Sequence, residues 1–259
     1  MNPNVHDAAR EGFSREAGTY VRGRPDYPPQ VLDWLRGTLA LGPGRTVLDV
    51  GAGTGKFTAL LERTGAAVVA VEPVDAMRAR LEAALPAVRT VAAAADAVPL
   101  PDAAADAIVC AQAFHWFASG AALREFHRLL QPGGRLGLVW NVRDESVDWV
   151  ARLTAIITPH EGDAPRFHKG EWRRPLKASP LFGPLEETRW RHVHTGAPED
   201  VIVGRFMSVS FIAALPAAER DAVRAELEAL VATHPELRGR REVSFPYTTL
   251  AFRAQRLPA

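Results

Sequence analysis

The sequence predicts an α/β protein built on a doubly wound, Rossmann-like parallel sheet. Three observations predict this fold class. Short apolar runs alternate with segments of helical periodicity, which is the pattern of parallel strands joined by helices. The apolar runs lack polar alternation, as expected of strands that are covered by helices on both faces. The first run ends in a glycine-rich turn, residues 50–55, that opens a helix.

The predicted elements follow one another with a regular rhythm as far as residue 142. Strands are expected at 46–50, 67–71, 88–94, 106–111 and 135–142, helices at 56–64, 74–84 and 121–130, and a turn at 131–134. Beyond them the pattern predicts a strand at 185–194, helices at 199–214 and 217–233, and a last extended run at 242–256. No linker or repeat interrupts the chain, so we predict a single domain, 1–259, with a ligand-binding core at 10–142. Residues 143–240 are expected to form a helical cap with a late strand, and residues 241–259 the last strand.

The bulk composition favours an ordinary globular protein. The chain has 259 residues, of which 47% are hydrophobic and 24% charged, with a formal net charge of +1. This balance offers no electrostatic footprint for nucleic acid or a membrane surface. No stretch approaches the roughly 18 apolar residues of a membrane helix, and the first 15 residues lack a signal-peptide core. We therefore expect a cytoplasmic protein that binds neither nucleic acid nor a membrane, with Cys110 a buried structural thiol.

The glycine turn is suited to a ligand that approaches bare main chain. Glycine allows the sharp backbone turn and leaves space for the ligand, although a tight turn without a ligand is the alternative. The spacing, Gly51-Ala52-Gly53-Thr54-Gly55, brings the third glycine one residue too early for a dinucleotide fingerprint. A phosphate-binding P-loop is also a poor match, because Phe57 stands where a Ser or Thr hydroxyl is needed.

Two acidic residues follow later strands at the same expected edge of the sheet. Glu72 ends the second strand, about 20 residues after the turn, where a carboxylate can accept hydrogen bonds from both hydroxyls of a ribose. Asp96 follows the third strand and can accept from an adenine amino group; a helix or turn cap is its alternative role. These features indicate an adenosine-containing ligand without deciding which one.

With these residues in view, the sequence resembles the class I methyltransferases that depend on S-adenosylmethionine (SAM). The similarity is greatest to the type 11 branch, which includes trans-aconitate-methyltransferase-like enzymes. Five segments carry it, at 47–55, 71–77, 95–97, 111–117 and 130–134, in the family's order and spacing. The resemblance implies SAM as the cofactor and a seven-stranded sheet whose last strand inserts antiparallel.

The resemblance also implies which residues contact SAM. The methionine part would be contacted by the turn residues Gly51, Ala52, Gly53, Thr54 and Gly55. The ribose would be bound by Glu72 with Pro73, the adenosine would pack near Met77, and the adenine end would lie at Asp96 with Ala97. The wall of the site would be formed by Gln112, Ala113 and Trp116. The segment 13–28 resembles the N-terminal stretch of this branch, which folds over the cofactor. From it we take Tyr20 and Arg24 as further candidates, since an arginine can pair with the carboxylate of SAM.

His115 is the candidate catalytic residue. It follows the fourth strand, where ligands gather in such sheets, and a neutral imidazole can serve as a general base. The alternative is that His115 only forms a wall of the pocket. No base is needed when the methyl acceptor is already a carboxylate.

The expected function is transfer of a methyl group to an O, N or C atom of a small molecule by in-line displacement. We expect the region 143–182 and the two helices between 199 and 233 to build the pocket for this methyl acceptor. The sequence has neither of the motifs of nucleic-acid methyltransferases, an Asn/Asp-Pro-Pro-Tyr/Phe segment or a Pro-Cys nucleophile. Two alternatives stay open, a SAM-binding sensor or partner module without catalysis and, less favoured, an NAD-dependent oxidoreductase. His160, Glu161, Asp163 and His168 match no ligand motif, so we expect no metal. A monomer and a homodimer are both compatible with the sequence.

Overall fold

A mixed seven-stranded sheet runs through the protein, whose computed structural model describes residues 24–258. Its strands are β1 (Thr46–Val50), β2 (Ala67–Val71), β3 (Arg89–Val91), β4 (Ala105–Ala111), β5 (Leu130–Arg143), β6 (Glu186–Gly196) and β7 (Val243–Gln255). The order across the sheet is β3-β2-β1-β4-β5-β7-β6. Pairings among β1 to β5 are parallel, whereas β7 lies antiparallel between β5 and β6. The predicted sheet with an inserted antiparallel last strand is confirmed.

Helices cover both faces of this sheet. The α-helices of the described chain are α1 (Gln30–Gly37), α2 (Lys56–Glu62), α3 (Asp75–Ala84), α4 (Gly120–Leu129), α5 (Asp148–Ile157), α6 (Arg173–Ala178), α7 (Arg205–Met207), α8 (Ser210–Ala213) and α9 (Ala217–Thr233). Short 3₁₀ turns lie at Phe114–Trp116 and Thr158–His160, and Glu199–Gly204 forms a π-helical turn. The α/β class and the doubly wound arrangement are confirmed.

Side chains of neighbouring residues in a central strand point to opposite faces of the sheet and pack against different helices. Leu48 of β1 belongs to the cluster that includes Phe126 of α4, whereas Val47 packs with Trp34 of α1. A further cluster, around Trp149 and Phe245, fills the space between α5, the 199–213 helices, α9 and the start of β7. Burial on both faces explains why the central strands are mostly apolar, and their parallel pairing places their carboxyl ends along one edge.

Some predicted elements differ from the structure. The helix expected at 199–214 is broken into three short pieces, because Ser208 donates its hydroxyl to the carbonyl of Arg205 and Val209 adopts an extended conformation. The segment is buried nearly all round, so its apolar pattern did not show the break. Helix α1 was not predicted, and β3 is three residues long instead of seven.

The expected turn at 131–134 is instead an irregularity within β5. Leu130 pairs with Ala105 and Arg135 pairs with Ala107, so four residues of β5 stand opposite one residue of β4. Gly133 has a φ of +77° there, and a Cβ on Gly134 would lie 2.8 Å from the carbonyl oxygen of Gln131. The two glycines therefore permit a bulge at 131–134, between the first pairing of β5 with β4 at Leu130 and the continuous pairing from Arg135 onward.

Both C-terminal strands join the same sheet as the N-terminal ones. The predicted division into a core at 10–142, a cap with a late strand at 143–240 and a last strand at 241–259 stays a prediction. Cys110 is fully buried. Among the described residues, no helix is long and apolar enough to cross a membrane.

Gly134→Ala is expected to destabilise the protein by about 1–3 kcal/mol, because the new methyl group meets two backbone carbonyls that cannot move aside. Gly37→Ala is the control, since nothing lies within 4 Å of its Cβ position and Ala is the better helix former. Chemical denaturation measures both free energies of unfolding. Equal stability of Gly134→Ala and the parent chain would contradict the close approach.

Candidate functional site

A cleft lies at the carboxyl edge of β1, β2 and β4. It encloses about 1250 Å³ of space outside the protein atoms, including its open mouth. Most of the residues predicted from the sequence line it, namely Arg24, Gly51, Ala52, Gly53, Thr54, Glu72, Pro73, Met77, Gln112, Ala113 and Trp116. The strand order explains the convergence, because β1 lies between β2 and β4 and the three strands end side by side.

The three glycines of the turn have different reasons to be glycine, although all have positive φ, at +75°, +59° and +86°. A Cβ on Gly51 would lie 2.7 Å from the Cβ of Ala113, and one on Gly55 would lie 2.9 Å from Cγ of Leu81. A Cβ on Gly53 would meet nothing within 4 Å and would project into open space. Gly51 and Gly55 therefore allow close packing, whereas Gly53 leaves the cleft free.

Glu72 ties the glycine turn to the turn after β2. Its buried carboxylate accepts one hydrogen bond from the amide of Gly53 and another from the amide of Val74, both of 2.8 Å. Burial raises the pKa of Glu72, and the two amides and Arg78 oppose this rise. Each carboxylate oxygen has a second lone pair, so Glu72 can hold the turn and still accept from a ligand hydroxyl.

Some of the predicted contacts do not lie on the cleft. Gly55 packs against α3, and the lining after β3 is formed by Ala93, Ala94 and Ala95 instead of Asp96 and Ala97. The chain turns at this point, with the amide of Ala97 bonded to the carbonyl of Ala94, which leaves Ala97 exposed. Tyr20 lies outside the described residues.

Asp49 is a site residue that the sequence analysis missed. It is fully buried in β1, lines the cleft and accepts a 2.7 Å hydrogen bond from Thr58 through Oδ2. Its Oδ1 has no hydrogen-bond partner in the described part of the chain. Burial raises the pKa of Asp49 to about 7, opposed by the Thr58 bond and reinforced by the charge of Glu72. The signal was present in the sequence, since an acidic residue inside an apolar strand is unusual.

Arg24 is positioned at the mouth by contacts from distant parts of the chain. Its Nη2 donates to the carbonyl of Ser208 at 3.1 Å, and its own carbonyl accepts from Lys56. Two residues on, the carbonyl of Asp26 accepts a 2.9 Å bond from Asn141 of β5. The segment entering α1 is thereby held across the ends of the central strands.

A second cavity adjoins the cleft and encloses about 790 Å³ of space outside the protein atoms, including its open mouth. The two share five lining residues, Arg24, Gln112, Trp116, Asn141 and Arg205. Gln112 has a φ of +59° at this junction, which is a strained conformation for a residue other than glycine. Its backbone N–H donates a 2.8 Å hydrogen bond to the carbonyl of Val139, which helps to hold this conformation. The remaining wall comes mostly from β5 and from residues 145–168 and 209–210, which lie within the regions expected from the sequence to build the acceptor pocket.

His115 lines the second cavity and not the cleft. Its Nδ1 accepts a 3.1 Å hydrogen bond from the indole of Trp140, so the proton of the neutral ring lies on Nε2. Burial lowers the pKa of His115 to about 3, and the charges of Arg166, Arg24 and His168 lower it further. The ring is therefore neutral at pH 7, but its basic nitrogen is already engaged and binds a proton weakly.

Comparison with known proteins defines the class of this protein. Residues 48–138 match a family model described as a methyltransferase domain. Over 242 residues the chain is 39% identical to an uncharacterized methyltransferase of Mycobacterium tuberculosis, a match that covers 93% of this chain and 94% of that one. The chain belongs to the class I SAM-dependent methyltransferases, and SAM is its cofactor. This membership sets aside the oxidoreductase and the non-catalytic module.

Two further proteins show the same likeness. An uncharacterized methyltransferase-like protein of Schizosaccharomyces pombe is 34% identical over 95% of this chain and 96% of its own length. Among solved structures, a proposed type II methyltransferase of Anaeromyxobacter dehalogenans superposes with a TM-score of 0.64 at 26% identity, covering 91% of this chain and 99% of that one. The trans-aconitate-methyltransferase-like branch stays a prediction.

Within residues 24–258, no group of three or more His, Cys, Asp and Glu side chains is placed to hold a metal ion. Glu161 instead lies 3.1 Å from the ammonium of Lys169 and 3.3 Å from Nε2 of His168. The carboxylate therefore takes part in an ion pair with Lys169.

The raised pKa of Asp49 predicts a specific pH dependence of stability. Between about pH 4 and 7 the folded protein keeps a proton on Asp49 that the unfolded chain has lost, so stability falls as pH rises, by at most about 1.4 kcal/mol per pH unit. In Asp49→Asn this contribution is absent. We therefore compare the melting temperatures of Asp49→Asn and of the parent chain by calorimetry without SAM. The difference, variant minus parent, should increase from pH 5 to pH 8. A difference that is constant with pH would show that Asp49 ionises normally.

Proposed function

We propose that the cleft holds SAM and that the methyl group passes to a small molecule held in the second cavity. The observation that carries this proposal is the set of five lining residues common to both spaces, because donor and acceptor must meet for an in-line displacement. When bound, SAM supplies a methyl group that is attached to a sulfonium sulfur. The sulfur is the leaving group and becomes a neutral thioether. The protein's task is then to align the two molecules and exclude water.

The lining residues suit SAM in three respects. The open space at Gly53 accommodates the methionine part against bare backbone, and Glu72 has lone pairs for the ribose hydroxyls. Met77 and Ala93–Ala95 offer an apolar surface to the adenosine. The unpartnered Oδ1 of Asp49 lies beside this space, where a carboxylate favours a cationic ligand. Arg24, at the mouth, is assigned to the carboxylate of the methionine part.

We assign His115 a role other than general base. Its Nδ1 is engaged by Trp140, and its Nε2–H is available as a hydrogen-bond donor to an acceptor in the second cavity. The acceptor atom must then be nucleophilic without the help of this histidine. A carboxylate, an ionised hydroxyl or a neutral amine meets that condition.

The lining of the second cavity supports a small-molecule acceptor. Polar side chains such as Arg143 and Glu145 stand there beside the apolar Trp140 and Phe167, the mixture typical of small-molecule sites. The near-neutral net charge gives no support to a nucleic-acid substrate. Identification of the methylated product will show whether an O, N or C atom receives the methyl group.

Calorimetric titration with SAM, with its demethylated product S-adenosylhomocysteine and with NAD tests the donor assignment. We expect binding of the first two and none of NAD. Incubation with labelled SAM and a cell extract, followed by separation by size, then tests the acceptor class. Label confined to RNA, DNA or protein would refute the small-molecule proposal.

Gly53→Val is expected to abolish measurable SAM binding while the chain stays folded, since the side chain occupies the ligand's space. Gly239→Val is the matched control, because Gly239 also has a positive φ, +72°, and open space at its Cβ, but lies away from the cleft. Both variants carry the same kind of backbone strain. Retained SAM affinity in Gly53→Val would refute the placement of the donor.

His115→Asn is expected to keep turnover within about tenfold of the parent enzyme, because an amide oxygen can accept from Trp140 and the amide N–H can still donate. A general base contributes about 10²–10⁴ in rate, so its loss would be far larger. The measurement is kcat from pH 5.5 to 8.5, with SAM affinity determined alongside. A loss of a hundredfold or more with unchanged SAM affinity would restore the base role.

A further inference from the structure

Besides Arg24, which is assigned to SAM, arginines from three further parts of the chain meet at the second cavity. Arg143 stands at the end of β5, Arg166 lies in the loop before α6, and Arg205 begins α7. Among the described lining residues, Glu145 is the only carboxylate. The cavity therefore carries an excess of positive charge in a chain whose net charge is only +1.

The ion pairs available to these arginines are long. Nε of Arg143 is 3.9 Å from the half-exposed carboxylate of Glu145, and Nε of Arg166 is 4.0 Å from Glu161. Glu161 is closer to Lys169 and His168 than to Arg166. The protein's own carboxylates thus leave much of this charge uncompensated.

Arg205 is the most informative of the three. It is 9% exposed, and its Nε and Nη1 have no hydrogen-bond partner among residues 24–258. A buried guanidinium without partners is costly, so its retention needs a compensating role. Arg205 also lines both the cleft and the second cavity, which places it where donor and acceptor meet.

The arginines also disfavour one another's charge. Burial lowers the pKa of Arg143 to about 10, and the charge of Arg205 contributes to this shift. Burial likewise lowers the pKa of Arg166 to about 10, with contributions from Arg143 and Arg205. A negative ligand between them would relieve both the repulsion and the missing hydrogen bonds.

We infer that the methyl acceptor is an anionic small molecule whose carboxylate or phosphate group binds to Arg143, Arg166 and Arg205. This inference rests on the proposed function, in which the second cavity holds the acceptor. Trp140, Phe167 and Val209 line the same cavity and provide an apolar surface for the remainder of the molecule. A guanidinium cluster recognises both kinds of anion, through paired N–H groups directed at two oxygens.

The test uses the full chain with its donor cleft saturated by S-adenosylhomocysteine. Succinate, citrate and inorganic phosphate serve as probes, and binding is measured by calorimetry and by the rise in melting temperature. We expect at least one probe to bind, with the carboxylates and phosphate distinguishing the two anion types. Arg205→Gln and Arg166→Gln should each weaken that binding about tenfold or more.

Arg173→Gln is the matched control. Arg173 is also half-buried against aromatic rings, 4.4 Å from the centroid of Trp172, but it does not line the cavity. It should leave anion binding within about twofold of the parent chain. Without any probe, Arg205→Gln should melt at the same temperature as the parent chain or higher, because an unpaired buried charge is removed.

The possible failures are distinguishable. SAM binding with no response to any of the three probes would overturn the inference and leave the proposed function standing. Anion binding without SAM binding would overturn the proposed function and, with it, the identification of the anion as a methyl acceptor, while the anion site itself would stand. A lower melting temperature of Arg205→Gln together with unchanged anion affinity would show that Arg205 is structural, and would also overturn the inference.

Discussion

The carboxylate of Glu72 is the interaction on which the site depends. It accepts from the amides of Gly53 and Val74, and so joins the loop after β1 to the loop after β2. These loops are the two walls between which a ligand must fit. Because the carboxylate is buried, neither amide has water as an easy substitute partner. The same group that is proposed to bind the ribose therefore also holds the backbone against which the rest of the cofactor lies.

Different parts of the chain form the cleft and the second cavity. The parallel strands β1, β2 and β4 supply the cleft, and their order brings three loops to one place. Strand β5 and the residues after it supply most of the second cavity, and β7 returns the chain to the sheet between β5 and β6. Asn141 links the two parts, since it donates to the carbonyl of Asp26 and accepts from Thr249 of β7.

The charges on the two sides are complementary to the proposed reaction. The cleft contains the buried acids Asp49 and Glu72, of which Asp49 lies beside the place proposed for the cationic methionine part of SAM. The second cavity contains arginines, next to the place proposed for an anion. Burial makes both preferences stronger than they would be at the surface. The junction between the spaces, at Gln112 and Trp116, is where these two environments meet.

The sequence by itself determined the fold class and most of the residues that line the cleft, because strands and glycine turns are local patterns. Apolar runs identified β1 and β2 to the residue, and the glycine spacing marked the turn. Only the tertiary structure showed that Gly55 serves packing, that Asp49 faces the cleft and that Trp140 occupies Nδ1 of His115. The arginine cluster was likewise invisible, since Arg143, Arg166 and Arg205 are far apart in the chain. Contacts between distant segments depend on how the layers pack, and no local pattern records them.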